Sequence, residues 1–218
     1  PASWIITLTD FHFTFATGRK VLNGVNLSLG VGEKIALLGA NGAGKSSLLH
    51  CVMGLAPIQQ GDIAIFGRAC LTENDFRTIR GRVGLLFQDS DDQLFCPTVL
   101  EDVMFGPLNL GHSRDEARES ALQVLSDLGL GGFGDRITYQ LSGGEKRLVA
   151  LATVLAMSPD VLLLDEPTNG LDADVEKRLI AILQSLPQSM LIISHDRDFL
   201  DQIATRFVRL ENGVIVNV

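Results

Sequence analysis

The chain has 218 residues, a mass of 23.6 kDa and a formal net charge of −8 at pH 7. This length is typical of one domain, and a hydrophobic share of 46% excludes a disordered chain. An acidic chain lacks the basic face that binds a nucleic-acid backbone, so we expect no nucleic-acid partner.

Cysteine spacing and hydropathy predict a reduced, soluble protein. Cys51, Cys70 and Cys96 lie without metal or redox spacing, which is typical of intracellular thiols. No apolar stretch reaches the roughly 18 residues that cross a bilayer, and no signal peptide opens the chain. We therefore expect membrane contact only through a partner. Pro1 stands where an initiator Met would be, which leaves a short N-terminal truncation open.

The predicted elements begin with an antiparallel β region. Phe11, Phe13 and Phe15 alternate with polar residues, which is the period of a half-buried strand. A turn at residues 17–19 leads to a second predicted strand over Val25–Leu29.

Four later segments are apolar almost throughout, which is typical of parallel strands covered on both faces by helices. With helices expected between them, they predict a doubly wound α/β core. The chain ends in a predicted hairpin, where Asn212-Gly213 suits a type I′ turn. The apolar segments are Ile35–Leu38, Val83–Phe87, Val161–Leu164 and Met190–Ile193.

Between the second and third of these segments the sequence predicts successive helices. A capping box at residues 113–116 predicts a helix that begins at Ser113 and stops near Gly129. Another predicted helix runs from Ser142 to about Met157. We interpret the chain as a single domain, 1–218, with a helical lobe, 89–158, inserted into a catalytic α/β lobe, 1–88 and 159–218.

A glycine-rich loop matching G-x-x-x-x-G-K-[ST] lies between a buried strand and a predicted helix over residues 46–53. Its backbone N–H groups can turn toward a phosphate, Lys45 can neutralise β/γ charge, and the Ser46 hydroxyl can ligate Mg²⁺. The alternative is a strand-to-helix turn with an incidental lysine, which this context disfavours. The predicted ATP-binding residues of the loop are Gly39, Ala40, Asn41, Gly42, Ala43, Gly44, Lys45, Ser46 and Ser47.

An acidic pair ends the third apolar segment. Asp165 and Glu166 can face one crevice once the chain begins to turn at the end of the strand. We expect Asp165 near the Mg²⁺ beside Ser46, and Glu166 next to the attacking water. The alternative is an acidic cap on the turn before Pro167.

A second glycine-containing segment opens the predicted helix that follows Ser142. A serine and two glycines at a helix start can bind an anion, although an ordinary capped helix has the same composition. The segment lies between the glycine-rich loop (the P-loop) and the acidic pair along the chain. It consists of Leu141, Ser142, Gly143, Gly144 and Glu145.

Taken together, these motifs resemble the nucleotide-binding domains of ABC ATPases over essentially the whole chain, and LSGG is the most specific of them. The resemblance implies a P-loop NTPase (RecA-like) core with an antiparallel β subdomain and an inserted α-helical lobe. It also implies ATP hydrolysis with ATP and Mg²⁺ as cofactors. Finally, it implies a head-to-tail dimer, in which LSGGE of one copy closes over the ATP of the other.

The resemblance also implies roles for single residues. Gln88 matches the Q-loop glutamine that contacts Mg²⁺ and the attacking water and senses the membrane partner. His195 matches the switch histidine near the γ-phosphate, and Asp172 is retained in the D-loop. Asn169 departs from the serine common in that loop, which leaves its contact across the dimer open. The implied Mg²⁺ ligands are Ser46, Gln88 and Asp165.

Phe15 falls where these domains usually have an adenine-stacking tyrosine. A phenylalanine keeps the ring face, so stacking is expected to survive. Because Phe11 and Phe13 share its predicted face, a core position is the alternative.

The segment Phe87–Asn109 is similar to energy-coupling-factor ATPases, especially those of the cobalt and nickel uptake branch. Residues 145–147 and 156–157 agree with that branch, as does the end of the chain soon after the final hairpin. Leu94, Phe95 and Val99 would offer apolar contacts to a partner helix, or they would pack inside the lobe.

We therefore expect an ATP-hydrolysing subunit of an ABC importer for cobalt or nickel, at the cytoplasmic face of the membrane. Its expected partners are a second ATPase subunit and a transmembrane coupling subunit. No His/Cys/Asp cluster has metal-site spacing, so the ion is expected to bind a membrane component. The alternatives are an importer of a vitamin or amino acid and an ABC ATPase outside transport.

Overall fold

The computed structural model describes residues 3–218, so Pro1 and the question of truncation lie outside the described residues. The strands are β1 (Trp4–Thr14), β2 (Lys20–Gly30), β3 (Lys34–Leu38), β4 (Gln60–Ile65), β5 (Arg68–Ala69), β6 (Val83–Leu86), β7 (Val161–Asp165), β8 (Ser189–Ile193), β9 (Arg206–Glu211) and β10 (Val214–Asn217). The helices are α1 (Lys45–Val52), α2 (Glu73–Ile79), α3 (Val99–Asn109), α4 (Arg114–Asp127), α5 (Gly143–Leu155), α6 (Ala173–Ser185) and α7 (Arg197–Ile203).

Two sheets organise these elements. The larger has the strand order β10-β9-β3-β8-β7-β6, and its strands from β9 to β6 run parallel. The smaller is antiparallel, in the order β2-β1-β4-β5. The predicted fold, a parallel P-loop core with an antiparallel β subdomain, is therefore confirmed. Strand β2 begins at Lys20, earlier than the predicted Val25, because its pairing with β1 continues as far as Thr14.

Strand β7 shows why the core segments are apolar throughout. Val161 and Leu163 pack into the cluster shared with the antiparallel sheet and α1. Leu162 and Leu164 pack into the cluster on the opposite face, with helices α3 to α7. All four side chains are fully buried. A strand covered on both faces has no position left for a polar side chain until its end, and there Asp165 lies.

Helices α3, α4 and α5 lie inside the predicted helical lobe. Ser113 and Glu116 form the predicted capping box, in which the Glu116 carboxylate accepts from Ser113 N at 2.7 Å. Helix α4 ends at Asp127, just before Gly129 with a left-handed φ of 73°. Both predicted ends of this helix are thus confirmed, whereas the lobe boundaries at 89 and 158 stay a prediction.

The final hairpin has the expected turn, because Asn212 and Gly213 have φ angles of 49° and 77°. Positive φ at both central residues is what a type I′ turn requires. None of the helices in residues 3–218 is both long enough and apolar enough to span a bilayer.

Candidate functional site

The P-loop connects β3 to α1. At Gly44 φ is 106°, and a Cβ there would lie 2.1 Å from Val21 Cγ1, so the loop passes where only glycine fits. Lys45 Nζ donates to Gly39 O at 2.6 Å and to Ala40 O at 2.9 Å. An ammonium has three donors, so one remains for a phosphate oxygen. The N-terminus of α1 adds free backbone N–H groups and partial positive charge.

The acidic pair lies at the carboxyl end of β7. Glu166 has a left-handed φ of 48°, a strained conformation for a non-glycine residue that often marks a functional site. The Asp165 Oδ1 atom is buried and has no hydrogen-bond partner among the described residues. A buried carboxylate oxygen without a donor fits a divalent cation, because such a cation would replace the missing partner.

Charges converge around Glu166. His195 Nε2 lies 3.1 Å from Glu166 Oε1. Burial raises the pKa of Glu166 and Asp165 raises it further, whereas His195 and Lys45 act in the opposite direction. Burial likewise lowers the pKa of Lys45, against the attraction of Glu166 and Asp165.

A cavity of about 300 Å³ brings most of the predicted ATP-binding and catalytic residues together. Phe15 lines it at 41% exposure, with its ring edge-on to Phe13 and the centroids 5.3 Å apart. The alternative of a core position is therefore wrong for Phe15, because β1 ends at Thr14 and the ring lies beyond the sheet. The predicted residues that line the cavity are Phe15, Asn41, Gly42, Gly44, Lys45, Ser46, Ser47, Gln88, Asp165, Glu166 and His195.

Ala40 and Ala43 lie on the outer side of the P-loop, where they line a separate cavity of about 630 Å³ against the β9–β10 hairpin. At Gly39, a Cβ would lie 2.7 Å from Leu210 O, so the loop passes close to this hairpin. These P-loop residues shape the loop and do not face the cavity that contains Glu166.

The LSGGE segment borders a wider cleft of about 680 Å³. Leu141 and Gly143 line it together with Ser46, Gln88 and Asp165. The Leu141 side chain is largely buried in the core of the helical lobe, which leaves its backbone for any contact with a partner's ATP.

The first turn of α5 is closed by a capping box. Ser142 Oγ accepts from Glu145 N at 3.1 Å, and the Glu145 carboxylate accepts from Ser142 N at 2.9 Å. The two sequence interpretations, an anion-binding helix start and an ordinary capped helix, thus describe the same helix start. Ser142 caps the helix, and the first turn that follows has Gly143 exposed and Gly144 half-buried.

Asp172 begins the helix that follows the D-loop. Its Oδ1 accepts from Asp174 N at 3.0 Å and from Val175 N at 2.9 Å, so it is the N-cap of α6. Val175 packs on the LSGGE segment, since a Cβ at Gly144 would lie 3.1 Å from Val175 Cγ2. Asn169 lines the wide cleft. The roles of Asp172 and Asn169 across a dimer stay predictions.

One sequence prediction about the helical lobe needs correction. Leu94 and Val99 are buried in the core of the lobe, so the alternative of packing inside the lobe is confirmed for both and the hypothesis that they contact a partner helix is wrong. Phe95 differs from them: it is 64% exposed and packs edge-on against Phe105, with centroids 4.7 Å apart.

Comparison with known proteins agrees with this geometry. The model of the ABC transporter family matches residues 22–169. The chain belongs to the ABC transporter family. This ABC protein is 55% identical over 199 residues to an ABC transporter ATP-binding protein of Brucella suis, which covers 91% of the chain and 83% of the relative. It is 40% identical over 216 residues to the energy-coupling factor transporter ATP-binding protein EcfA of Methanothermobacter thermautotrophicus. That alignment covers 97% of this chain and 70% of the relative.

Solved structures share the fold of this ABC protein. CbiO1 of Clostridium perfringens, described as part of the ABC transporter complex CbiONQ, is 32% identical with a TM-score of 0.86, over 98% of this chain and 87% of CbiO1. A dimeric ATP-binding cassette in a post-hydrolysis state with ADP and Pi is 26% identical, with a TM-score of 0.87. The match covers 97% of this chain and 98% of that cassette. This ABC protein is therefore the ATP-binding subunit of an ABC transporter, in a family whose members couple ATP hydrolysis to transport.

Two arginines at the site were missed from the sequence. Arg19 lines the cavity that contains Phe15 and donates to Gly42 O at 2.8 Å, so it joins the turn after β1 to the P-loop. Arg147 is buried on α5 and donates to the backbone carbonyls of Phe87 and Gln88. A signal for Arg147 existed, because it is a charged residue within a helix that is otherwise apolar after its first turn.

Proposed function

We propose that this chain is the ATP-hydrolysing subunit of an energy-coupling-factor importer whose cargo is cobalt or nickel ions. The cargo assignment depends on the segment Phe87–Asn109, which is similar to that of the cobalt and nickel branch. The EcfA relatives, at 40% and 39% identity, and the likeness to CbiO1 support the energy-coupling type.

ATP binding is proposed at the cavity between Phe15 and the P-loop. The Phe15 ring is free to stack on the adenine, and stacking is available to any base face. Lys45 and the N-terminus of α1 hold the β- and γ-phosphates, since Lys45 keeps one N–H beyond its two carbonyl partners. Arg19 also lines this cavity and fixes the P-loop there, because its guanidinium donates to Gly42 O.

Hydrolysis is proposed at Glu166. Burial raises its pKa, which makes this carboxylate a better base than an exposed glutamate. Glu166 accepts a proton from the attacking water, and His195 holds the carboxylate from the outer side of the cavity. Gln88, on the same cavity, orients the water.

Ser46, Gln88 and Asp165 are the residues proposed to hold Mg²⁺, and the unpartnered Asp165 Oδ1 supports this assignment. Mg²⁺ held there would supply positive charge against the negative charge that develops on the phosphate oxygens.

We propose that two such subunits act as a head-to-tail dimer, with residues 141–145 of one copy over the ATP of the other. The dimeric state of a related cassette supports this arrangement, as does the exposed start of α5 on the wide cleft. The proposed domain is one unit with catalytic parts 1–88 and 159–218 and a helical lobe 89–158, which contains α3 to α5.

The membrane partner is proposed to dock on the Phe95–Phe105 pair, which lies between Gln88 and the end of α3. Two exposed aromatic rings in contact form an apolar surface that a helix of a transmembrane subunit could cover. The proposed location is the cytoplasmic face of the membrane, through this partner alone.

Transport assays test the cargo. The chain would be purified in complex with its membrane subunits and reconstituted in liposomes. ATP-dependent uptake of radioactive Co²⁺ or Ni²⁺ is expected, and liposomes with Glu166→Gln should show none. Uptake of neither ion by a complex that hydrolyses ATP would overturn the cargo assignment and leave the ATPase assignment standing.

A further inference from the structure

Arg147 is a buried cation in contact with the start of the Q-loop. It lies on α5 with 4% exposure. Its two terminal nitrogens donate to successive carbonyls, one to Phe87 O at 2.7 Å and the other to Gln88 O. The planar guanidinium fork can hold two such oxygens in a defined geometry, which a lysine ammonium cannot. The bonds therefore determine where the chain leaves β6.

Burial of this cation is unfavourable unless its bonds compensate. Burial lowers the pKa of Arg147, and Asp89 and Asp165 oppose that shift through space. An apolar side chain at the same position would usually stabilise the lobe as well or better. Hydrogen bonds to two adjacent carbonyls thus point to a positional role for Arg147 beyond lobe stability.

The Gln88 side chain depends on this backbone. Gln88 is an exposed residue that lines both the ATP cavity and the wide cleft. The peptide before it is held from the other side by Gln93, whose Oε1 accepts from Phe87 N at 3.2 Å and whose Nε2 donates to Leu85 O at 2.9 Å. Arg147 is the contact that reaches Gln88 itself from the helical lobe.

Arg147 lies on the same helix that begins at the LSGGE segment. A helix moves as a rigid element, so displacement of its N-terminus also displaces Arg147 and the carbonyls it holds. We propose that Arg147 is a positioning residue that places Gln88 in the ATP cavity and couples its position to the LSGGE helix. This inference rests on the proposed role of Gln88 in hydrolysis.

Lys146 offers a matched control on the same helix. Its Nζ lies 2.7 Å from Asp91 Oδ1, but the Asp91 side chain is 70% exposed. The Lys146 side chain is 21% exposed, but the pair is open to solvent on the Asp91 side, where an ion pair contributes little to structure. Lys146→Met therefore removes a cation from the same part of α5 without touching the Gln88 carbonyl.

Hydrogen–deuterium exchange of the nucleotide-free full chain tests the geometry without activity. Arg147→Met and Arg147→Lys should both speed amide exchange over residues 85–89, with little change in α3 and α4, and Lys146→Met should not. Unchanged exchange over 85–89, or faster exchange across the whole helical lobe, would overturn the proposal. If Arg147→Met fails to fold, Arg147→Lys serves in its place.

A double-mutant cycle with Gln88→Ala tests the coupling. Arg147→Met should lower ATP turnover about 10- to 100-fold, as for other residues that orient a catalytic group. Combined with Gln88→Ala, it should add little further loss, whereas a merely structural role predicts that the two losses multiply. Multiplied losses, or normal turnover of the Arg147 variants, would overturn the inference. Normal turnover of Gln88→Ala would overturn the proposed role of Gln88 and, with it, the inference.

Discussion

Glu166 is held at both carboxylate oxygens by a single residue, His195. The imidazole Nε2 lies 3.1 Å from Oε1, and the His195 backbone N donates to Oε2 at 3.2 Å. Because β7 and β8 are adjacent parallel strands, the residues that follow them meet at one edge of the sheet. The contact orients the Glu166 carboxylate within the cavity that also contains Lys45.

Glu166→Gln should lower ATP turnover about 10²- to 10⁴-fold, because the amide keeps the shape but cannot accept the proton of water. ATP binding should persist, since the P-loop and Lys45 are unchanged. Steady-state hydrolysis and sizing chromatography with ATP and Mg²⁺ should show an inactive, ATP-bound dimer. Glu119→Gln, an exposed substitution of the same type on α4, is the control. A Glu166→Gln variant with normal turnover contradicts the assigned role.

The same substitution should raise stability in a pH-dependent way. The folded state raises the pKa of Glu166 above its unfolded value, so ionisation of this group lowers the free energy of unfolding of the wild type as pH rises. Glu166→Gln should therefore melt above the wild type at neutral pH, and the gap should shrink as pH falls toward the ordinary range of a glutamate. Calorimetry over a pH series measures this. A difference in melting temperature that is constant or reversed with pH would show that burial does not raise the pKa of Glu166.

Phe15→Ala should weaken ATP binding by about 1–3 kcal/mol if the ring stacks on adenine. Phe15→Tyr keeps the ring and should bind like the wild type. Titration with ATP and with inorganic triphosphate separates the causes, because triphosphate has no base to stack. Equal losses for both ligands would place the effect in the P-loop rather than at the adenine.

Lys45→Ala should weaken ATP binding about tenfold or more, because a charge-assisted hydrogen bond contributes about 1.5–3 kcal/mol. Lys177→Ala, on the exposed face of α6, removes the same charge away from the cavity and should have little effect. Calorimetric titration of ATP into each variant provides the measurement. Unchanged affinity of Lys45→Ala would mean that the phosphate site lies elsewhere.

Phe95→Asp and Phe105→Asp should leave melting temperature and ATP affinity close to those of the wild type, because both rings are exposed. Binding to the membrane subunit should be lost. Leu94→Ala should behave differently, with a loss of about 2–5 kcal/mol in the free energy of unfolding, as for other buried leucines. Pull-down of the membrane subunit and thermal melting distinguish the two. A folded Phe95→Asp variant that still assembles would exclude docking at this pair.

Most of the site could be predicted from local sequence. The P-loop motif, the strand that ends at Asp165 and the Ser113 capping box are each visible as local patterns of the sequence. Continuous apolarity predicted the parallel strands because burial on both faces leaves no polar position. The resemblance to ABC ATPases implied a place for His195 near the γ-phosphate, and the structure adds its contact with Glu166, because β7 and β8 are adjacent parallel strands that end at one edge.

Other properties were decided only by packing between distant segments. Leu94 and Phe95 are adjacent apolar residues, yet one is buried at 8% exposure and the other is 64% exposed. Both lie in the loop before α3, where no helical or strand period applies, and this loop is fixed by contacts such as that of Phe95 N with Asp102 Oδ1 at 3.0 Å. The same holds for Arg147, whose partners lie 59 and 60 residues away along the chain. Periodicity describes the faces of one element, whereas the partner of each face is chosen by the tertiary structure.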